Sequence, residues 1–337
     1  MKRFLRRATP FLLMMAALVA ALASAAVWYA HRPIELRAPV VDFTIQRGFG
    51  MRQAANHIAA SGVAVQPRVL TWLAQISGRA NRIKAGSYEV HPGITPWQLI
   101  LKLSDGDVSQ GAVLLVEGWN FRQVRQALET APDLVADTAG LSDAEILQRI
   151  GAGETHPEGL FFPDTYLFDK HSGALAVLKR AYGAMQKRLA AAWAERDPAS
   201  PLKSPYEALV LASIVEKETG RPEDRGLVAS VFTNRLRIGM PLQTDPSVIY
   251  GLGPDFDGKL RRKDLDTDHP WNTYTRPGLP STPIAMPGPD ALRAAVRPQS
   301  SEFLYFVARG DGSSQFSRSL DEHNRAVERF IRNGRTN

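Results

Sequence analysis

The sequence predicts a mixed α+β fold carried behind one N-terminal membrane-spanning helix, and three observations predict it. An uncharged apolar run opens the chain. Short alternating segments, each closed by a glycine and followed by a helical pattern, fill the next third. Long helical patterns and then irregular polar loops fill the remainder.

The apolar run covers residues 11–30, FLLMMAALVAALASAAVWYA. Twenty residues without a charge are enough to cross a bilayer as a helix. Lys2, Arg3, Arg6 and Arg7 precede it, which predicts a cytoplasmic N-terminus, and Trp28 and Tyr29 stand where an aromatic interface belt forms. Small-residue cleavage sites at 21–23 and 23–25 offer the alternative of a cleaved signal peptide. A retained anchor is favoured because the run exceeds a signal h-region and continues past those sites. Either way the body is exported.

The chain has 337 residues, 44% hydrophobic and 22% charged, an ordinary globular composition with material for about two folded units. The formal charge is +7, but Arg32 and the four basic residues above flank the apolar run, and residues 1–32 hold no Asp or Glu. Removing those five leaves 36 basic against 34 acidic residues, or +2. Charge therefore argues against nucleic acid as a partner. The absence of cysteine fits an extracytoplasmic protein of a Gram-negative cell and excludes thiol catalysis and cysteine metal sites.

After a Pro-containing linker at 32–39, residues 41–46 alternate as a strand, Gly48 and Gly50 turn the chain, and helices are expected at 51–60 and 67–76. A strand at 85–90 and a helix at 96–103 follow. A third such pair is expected at 113–116 and 121–128, and a short helix at about 143–150. The three strand–glycine–helix segments form a weak, unevenly spaced repeat, which suggests small α/β modules rather than a solenoid. The strand–helix–helix–strand pattern over 41–91 resembles a LysM domain, a module that binds N-acetylglucosamine-containing glycans. A plain spacer is the alternative.

Residues 158–166, EGLFFPDTY, mix aromatic and polar groups as a sugar-binding wall does, with Asp164 and Tyr166 as weaker candidate contacts; a buried turn packed by its own rings would look similar. An amphipathic scaffold helix is expected at 175–196.

The next segment, residues 204–220 (SPYEALVLASIVEKETG), reads as one helix: Ser204 can cap it, Pro205 suits its first position and Gly220 the residue past its end. At about 100° per residue, Leu211, Ile214, Val215 and Glu218 form one stripe, so Glu218 sits on the apolar face and Glu216 points roughly the opposite way. Burial raises a carboxyl pKa and keeps an acid protonated at neutral pH. A helix that merely ends in polar residues is the bland alternative.

A helix opened by Pro222 is expected to run to Gly239. Beyond it, residues 240–253 and 271–289 are dense in Gln, Asp, Asn, Tyr, Thr, Pro and Gly and are expected to be loops that carry a site on a helical scaffold. The segments VLASIVEKET, NRLRIGMPLQTDPSVIYGLG, NTYTRPGLPSTPIAMPG and LYFVARGDGSSQFSRSLDEHN closely resemble the MltG (YceG-like) family of endolytic murein transglycosylases, from the anchor to near the C-terminus.

The resemblance implies a catalytic glutamate in the EKET segment, assigned to Glu218. It implies cleavage of the β-1,4 bond between N-acetylmuramic acid and N-acetylglucosamine in peptidoglycan, leaving a 1,6-anhydromuramyl end. One carboxyl suffices, as acid and then base, because the nucleophile is the sugar's own 6-hydroxyl. Asp245 is the candidate second carboxylate, although a turn-forming role before Pro246 is favoured. Gln243, Tyr250, Asn272 and Tyr274 are candidate substrate contacts or supports for Glu218, with loop stabilisation as their alternative.

No histidine pair has metal-ligand spacing, and neither metal nor cofactor is expected. Glycan strands, the inner membrane and, by resemblance, peptidoglycan synthases are the expected partners, with a periplasmic body. The expected spans are a basic tail at 1–10, the membrane helix at 11–30, a linker at 31–40, the LysM-like module at 41–108, a connector at 109–156 and the catalytic domain at 157–337. Two alternatives remain: a muramidase-type hydrolase of the same bond, and a non-catalytic glycan-binding assembly factor.

Overall fold

The computed structural model describes residues 2–332. Met1, residues 333–337 and the side chains of residues 2–12 and 332 lie outside the described residues, and with them fall the basic flank Lys2, Arg3, Arg6 and Arg7 and the outer ends of the 1–10 and 157–337 spans. The architecture is mixed α+β. The chain divides into two units after residue 111, with residues 167–172 returning to the first.

In the first unit, helix α1 (Lys2–His31) contains an apolar stretch, Leu13–His31, long enough to cross a membrane. Its side chains lack protein cover, with Leu13 71% and Leu22 60% exposed, until Ala30 enters the core. The segment expected as a linker is tied down instead. Ile34 is buried, its N–H donates to the Ile94 carbonyl at 2.8 Å, and the Arg37 N–H donates to the Gly62 carbonyl at 3.0 Å. An apolar residue next to a folded module gains more from joining its core than from staying in solvent.

Strand β1 (Val41–Ile45), helices α2 (Met51–Ala60) and α3 (Pro67–Ile76), strand β2 (Gly86–Val90) and helix α4 (Pro96–Asp105) follow as the pattern predicts. β1 and β2 pair antiparallel, setting Phe43 opposite Tyr88 with their rings stacked 5.8 Å apart. Ala54, Ile58, Leu70, Leu99 and Leu103 close the core around them. The buried Tyr88 hydroxyl donates to the Lys84 carbonyl at 2.7 Å, meeting its polar requirement.

Strand β3 (Gln110–Leu114) lies earlier than the 113–116 expected, because its register follows its partner β4 (Thr165–Asp169). A continuous apolar run such as VLLV carries no period to fix that register.

The second unit contains α5 (Phe121–Thr130), α6 (Asp143–Ile150), α7 (Ala174–Ala194), α8 (Pro205–Glu218), α9 (Arg225–Arg237), α10 (Asp245–Leu252), α11 (Arg262–Asp266), α12 (Pro289–Val296), the hairpin β5 (Tyr305–Ala308) and β6 (Ser314–Ser317), and α13 (Leu320–Val327). Its axis is α8, which packs against α7, α9, α10 and most extensively α12. Ser204 caps α8 by accepting the Glu207 N–H at 3.2 Å, and Pro205 takes the first helical position.

Every residue from Ala208 to Val215 is buried, so the middle of α8 has no solvent face and the amphipathic stripe expected for it is absent there; exposure is confined to the ends, at Pro205 and Lys217. Ala208 and Ala212 of α8 and Ala291, Ala294 and Ala295 of α12 are buried in this pair of packed helices. Truncating Leu211, fully buried in this layer, to alanine would cost about 2–5 kcal/mol.

Gly220 does not form a left-handed cap. A Cβ there would stand 3.0 Å from the Gly312 carbonyl in the β5–β6 turn, so close backbone approach explains the glycine. Residues 248–253, expected as loop, belong largely to α10. The aromatic run 158–166 is the buried turn rather than an open wall: Phe161 stacks on Phe121 at 5.1 Å, and Leu160 and Phe162 are also buried.

Candidate active site

Glu218 is the last residue of α8, where the helix gives way to extended backbone at Thr219. Its Oε1 accepts a hydrogen bond from Thr244 Oγ1 at 2.6 Å. Thr244 is the N-cap residue of α10, yet its hydroxyl does not cap that helix; it serves Glu218 instead. Thr244 is held in turn: its N–H donates to Thr273 Oγ1 at 3.0 Å and its carbonyl accepts from Ser247 Oγ at 2.8 Å.

Asp245 and Tyr274 complete the surroundings, with the Tyr274 hydroxyl donating to Asp245 Oδ1 at 2.5 Å. The buried Arg235 guanidinium spends its donors on carbonyls, Leu304 at 2.8 Å and Leu242 at 2.7 Å, rather than on a carboxylate.

Burial raises the Glu218 pKa above the ordinary carboxylate range. The Thr244 hydrogen bond offsets part of this; Asp245 raises it further and Arg235 draws it down. The C-terminal pole of α8 also disfavours negative charge on its last residue.

The neighbouring Glu216, which points away from the expected stripe, faces the scaffold rather than solvent, for its side chain is only 9% exposed. Its Oε2 accepts the Gly288 N–H at 2.9 Å, at the N-terminus of α12, and Arg225 lies 4.0 Å away. Burial raises its pKa too, countered first by the Gly288 N–H.

A third buried carboxyl, Glu158, was not foreseen. It is 2% exposed, and both its oxygens lie 3.1 Å from the N–H of Phe121, the first residue of α5. Burial pushes its pKa up to about 7 against the lowering pull of the Phe121 N–H and the Tyr250 hydroxyl.

Glu158 lines a cleft of about 980 Å³ with Tyr250, Trp271 and His156, and with Lys217 and Pro246, the chain neighbours of Glu218 and Asp245. Glu218 itself is not on that lining.

Of the residues singled out from sequence, Glu218, Asp245 and Tyr274 are brought together. Gln243 sits beside them in a left-handed backbone conformation (φ 50°), its N–H donating to the Thr273 carbonyl at 3.1 Å. Such a conformation costs a non-glycine residue energy and is characteristic of functional loops. Asn272 is 1% exposed and ties its loop together through the Leu265 and Thr267 carbonyls, which is the loop-stabilising alternative weighed for it.

Tyr250 joins Glu158 and Trp271 rather than Glu218. Tyr166 is buried, with its hydroxyl on the Phe162 carbonyl at 2.7 Å, and Asp164 accepts its neighbour's N–H in a turn; both serve the fold and not the cluster.

Thr244, Arg235, Glu158 and Trp271 were missed. The available signals were a threonine between two candidates in LQTDP, an arginine in the apolar stretch of α9, and a glutamate opening the apolar EGLFFP. No group of His, Asp or Glu among the described residues is arranged to hold a metal ion.

Comparison with known proteins bears on this arrangement. Residues 43–329 match the YceG-like family model. The chain is 30% identical over 308 residues to an endolytic murein transglycosylase of Bacillus subtilis, covering 86% of this chain and 85% of that protein. It is 27% identical over 328 residues to an endolytic murein transglycosylase of Streptococcus pneumoniae, covering 86% of this chain but 58% of the longer relative. The crystal structure of a YceG-like protein from Listeria monocytogenes superposes with a TM-score of 0.53 at 28% identity, covering 85% of this chain and 98% of that one. Since the match runs over most of the chain and takes in Glu158, Glu216 and Glu218 with the loops that hold them, the chain belongs to the YceG-like family.

Proposed function

We propose that this chain is a membrane-anchored lytic transglycosylase that cleaves the N-acetylmuramic acid to N-acetylglucosamine β-1,4 bond of peptidoglycan, with Glu218 as acid and then base. The observation that carries the reading is the partner of Glu218. It is buried at the negative pole of its helix and bonded to a neutral hydroxyl, whereas Glu216 and Glu158 each receive a backbone N–H at a helix N-terminus. Burial raises the pKa of all three carboxyls, and Glu218 is set apart by its hydroxyl partner and by its place beside the Asp245–Tyr274 pair.

Protonated Glu218 gives its proton to the glycosidic oxygen as the C1–O bond breaks. The resulting carboxylate takes the proton of the muramyl 6-hydroxyl as O6 closes on C1, which restores the protonated enzyme without consuming water. A hydrolase with two catalytic carboxylates would need a second one placed for water activation. Asp245, the candidate, is exposed and engaged by Tyr274, which favours a loop role.

The exposed apolar stretch of α1 favours a retained anchor, with the N-terminus cytoplasmic and the body periplasmic. The β1–α2–α3–β2 module is proposed as LysM-like and glycan-facing, and peptidoglycan synthases as partners. Digestion of intact peptidoglycan followed by mass spectrometry tests the reaction. Wild type should release ends lighter by one water than reducing ends, and Glu218→Gln should release none; ordinary reducing ends would replace the proposal with hydrolysis.

A further inference from the structure

Glu158 and the aromatic groups around it have no part in the reaction just described, yet they line the cleft that Glu218 does not. Trp271 is fixed in one orientation. Its Nε1 donates to Thr282 Oγ1 at 2.9 Å, and that hydroxyl donates to the Pro283 carbonyl at 2.8 Å, so the indole's polar edge is satisfied within the protein. The Tyr250 ring meets Trp271 edge-on at 5.5 Å, and the His156 ring lies at 6.3 Å on a tilt.

Glu158 stands behind Tyr250 as acceptor of its hydroxyl, and the Glu158 N–H donates to His156 Nδ1 at 3.3 Å. Glu158 thus joins the wall's two flanking rings to the N-terminus of α5, His156 through its backbone N–H and Tyr250 through its carboxyl. A carboxyl group accepts hydrogen bonds on its oxygens in either protonation state, and the Phe121 N–H, Tyr250 O–H and Gly159 N–H leave capacity for a further hydroxyl.

A rigid aromatic wall beside a buried acceptor fits a pyranose ring: the apolar C–H face packs on the rings and an equatorial hydroxyl reaches the acceptor. We infer that Trp271, Tyr250, His156 and Glu158 form a separate sugar-binding subsite, which takes a pyranose residue of the glycan strand beyond the one whose bond Glu218 breaks. Lys217 and Pro246 connect the two places, since they line the subsite's cleft and adjoin Glu218 and Asp245 in the chain. In this assignment Glu158 positions the wall and the sugar without exchanging protons with the reacting bond.

The inference rests on the transglycosylase reading, and its test keeps the two apart. Binding of β-1,4-linked N-acetylglucosamine disaccharide and hexasaccharide is measured calorimetrically on the full chain carrying Glu218→Gln, alone and combined with Trp271→Ala or Glu158→Gln. The longer sugar should bind more tightly, and Trp271→Ala should weaken it about tenfold while leaving the disaccharide little changed. In otherwise wild-type enzyme, Glu158→Gln should raise KM for glycan several-fold and leave kcat within about threefold.

Unchanged hexasaccharide binding in the Trp271 variant overturns the subsite even if wild type still releases anhydro ends. A kcat loss in Glu158→Gln as large as that of Glu218→Gln also overturns it, by making Glu158 catalytic. Absence of anhydro products from wild type overturns the underlying reading instead.

Discussion

Glu218 and Glu158 are both carboxyls removed from water, and the contrast between their surroundings teaches more than their shared burial. Glu158 lies against the positive pole of α5 and accepts a backbone N–H with both oxygens. Glu218 lies at the negative pole of its own helix and is met by a threonine hydroxyl. Desolvation raises both pKa values; the donors that oppose it are backbone N–H groups and the Tyr250 hydroxyl at Glu158, and the Thr244 hydroxyl with the more distant Arg235 at Glu218. Burial makes a carboxyl titrate abnormally; the donors around it decide whether it serves as an acid or as a fixed acceptor. Glu216, on the N-terminus of α12, falls on the side of Glu158.

The strongest test of that contrast removes the acid. Glu218→Gln keeps the shape and the Thr244 contact but carries no transferable proton, so turnover on peptidoglycan should fall about 10²–10⁴-fold while thermal unfolding stays cooperative. Retained activity would transfer the acid role to another glutamate.

Thr244→Val should cost about tenfold in turnover, and it should move the alkaline limb of the pH–rate profile. The Thr244 hydroxyl lowers the Glu218 pKa, so its loss raises that pKa and carries the limb to higher pH. An unmoved limb would separate Thr244 from the titrating group.

Glu158 predicts a stability effect whose sign follows from its raised pKa. Unfolded, the carboxyl loses its proton near 4.5; folded, it keeps it to about 7. The folded state therefore binds more protons across that interval, and stability falls as pH rises through it, by roughly 3 kcal/mol at most. Urea unfolding of Glu158→Gln at several pH values should show a flatter slope between pH 5 and pH 7 than wild type.

The smallest effect belongs to Glu216→Gln, which keeps an acceptor for the Gly288 N–H. Stability should drop by about 1 kcal/mol, with anhydro-product release within about threefold of wild type. A loss comparable to that of Glu218→Gln would erase the contrast between the two neighbours.

Much of the first unit was legible because its information is local. The periodicities and glycines at 41–105 place β1, α2, α3, β2 and α4 within a residue or two. The second unit was legible only in part. Helix α12 packs on α8 and α9, and the hairpin β5–β6 on α13 and α9, contacts that no window of sequence contains. Residues 248–253 read as loop because glycines at 251 and 253 outweigh VIY, yet Val248 and Ser247 are buried under α8 and draw the segment into a helix. Of the two grounds for Glu218, the apolar stripe does not hold, since residues 208–215 of α8 are buried all round; the EKET resemblance is independent of it.

What the sequence determined by itself is the apolar run, the caps and periods of the early elements, and the presence of a glutamate at the end of the α8 segment, all set by neighbours within a few residues. What only the tertiary structure decided is the partner each glutamate receives: Thr244 for Glu218, Phe121 for Glu158 and Gly288 for Glu216 lie 26, 37 and 72 residues away. A carboxyl's desolvation and hydrogen bonds act over a few ångströms in space, and chain folding alone decides which distant residues come that close.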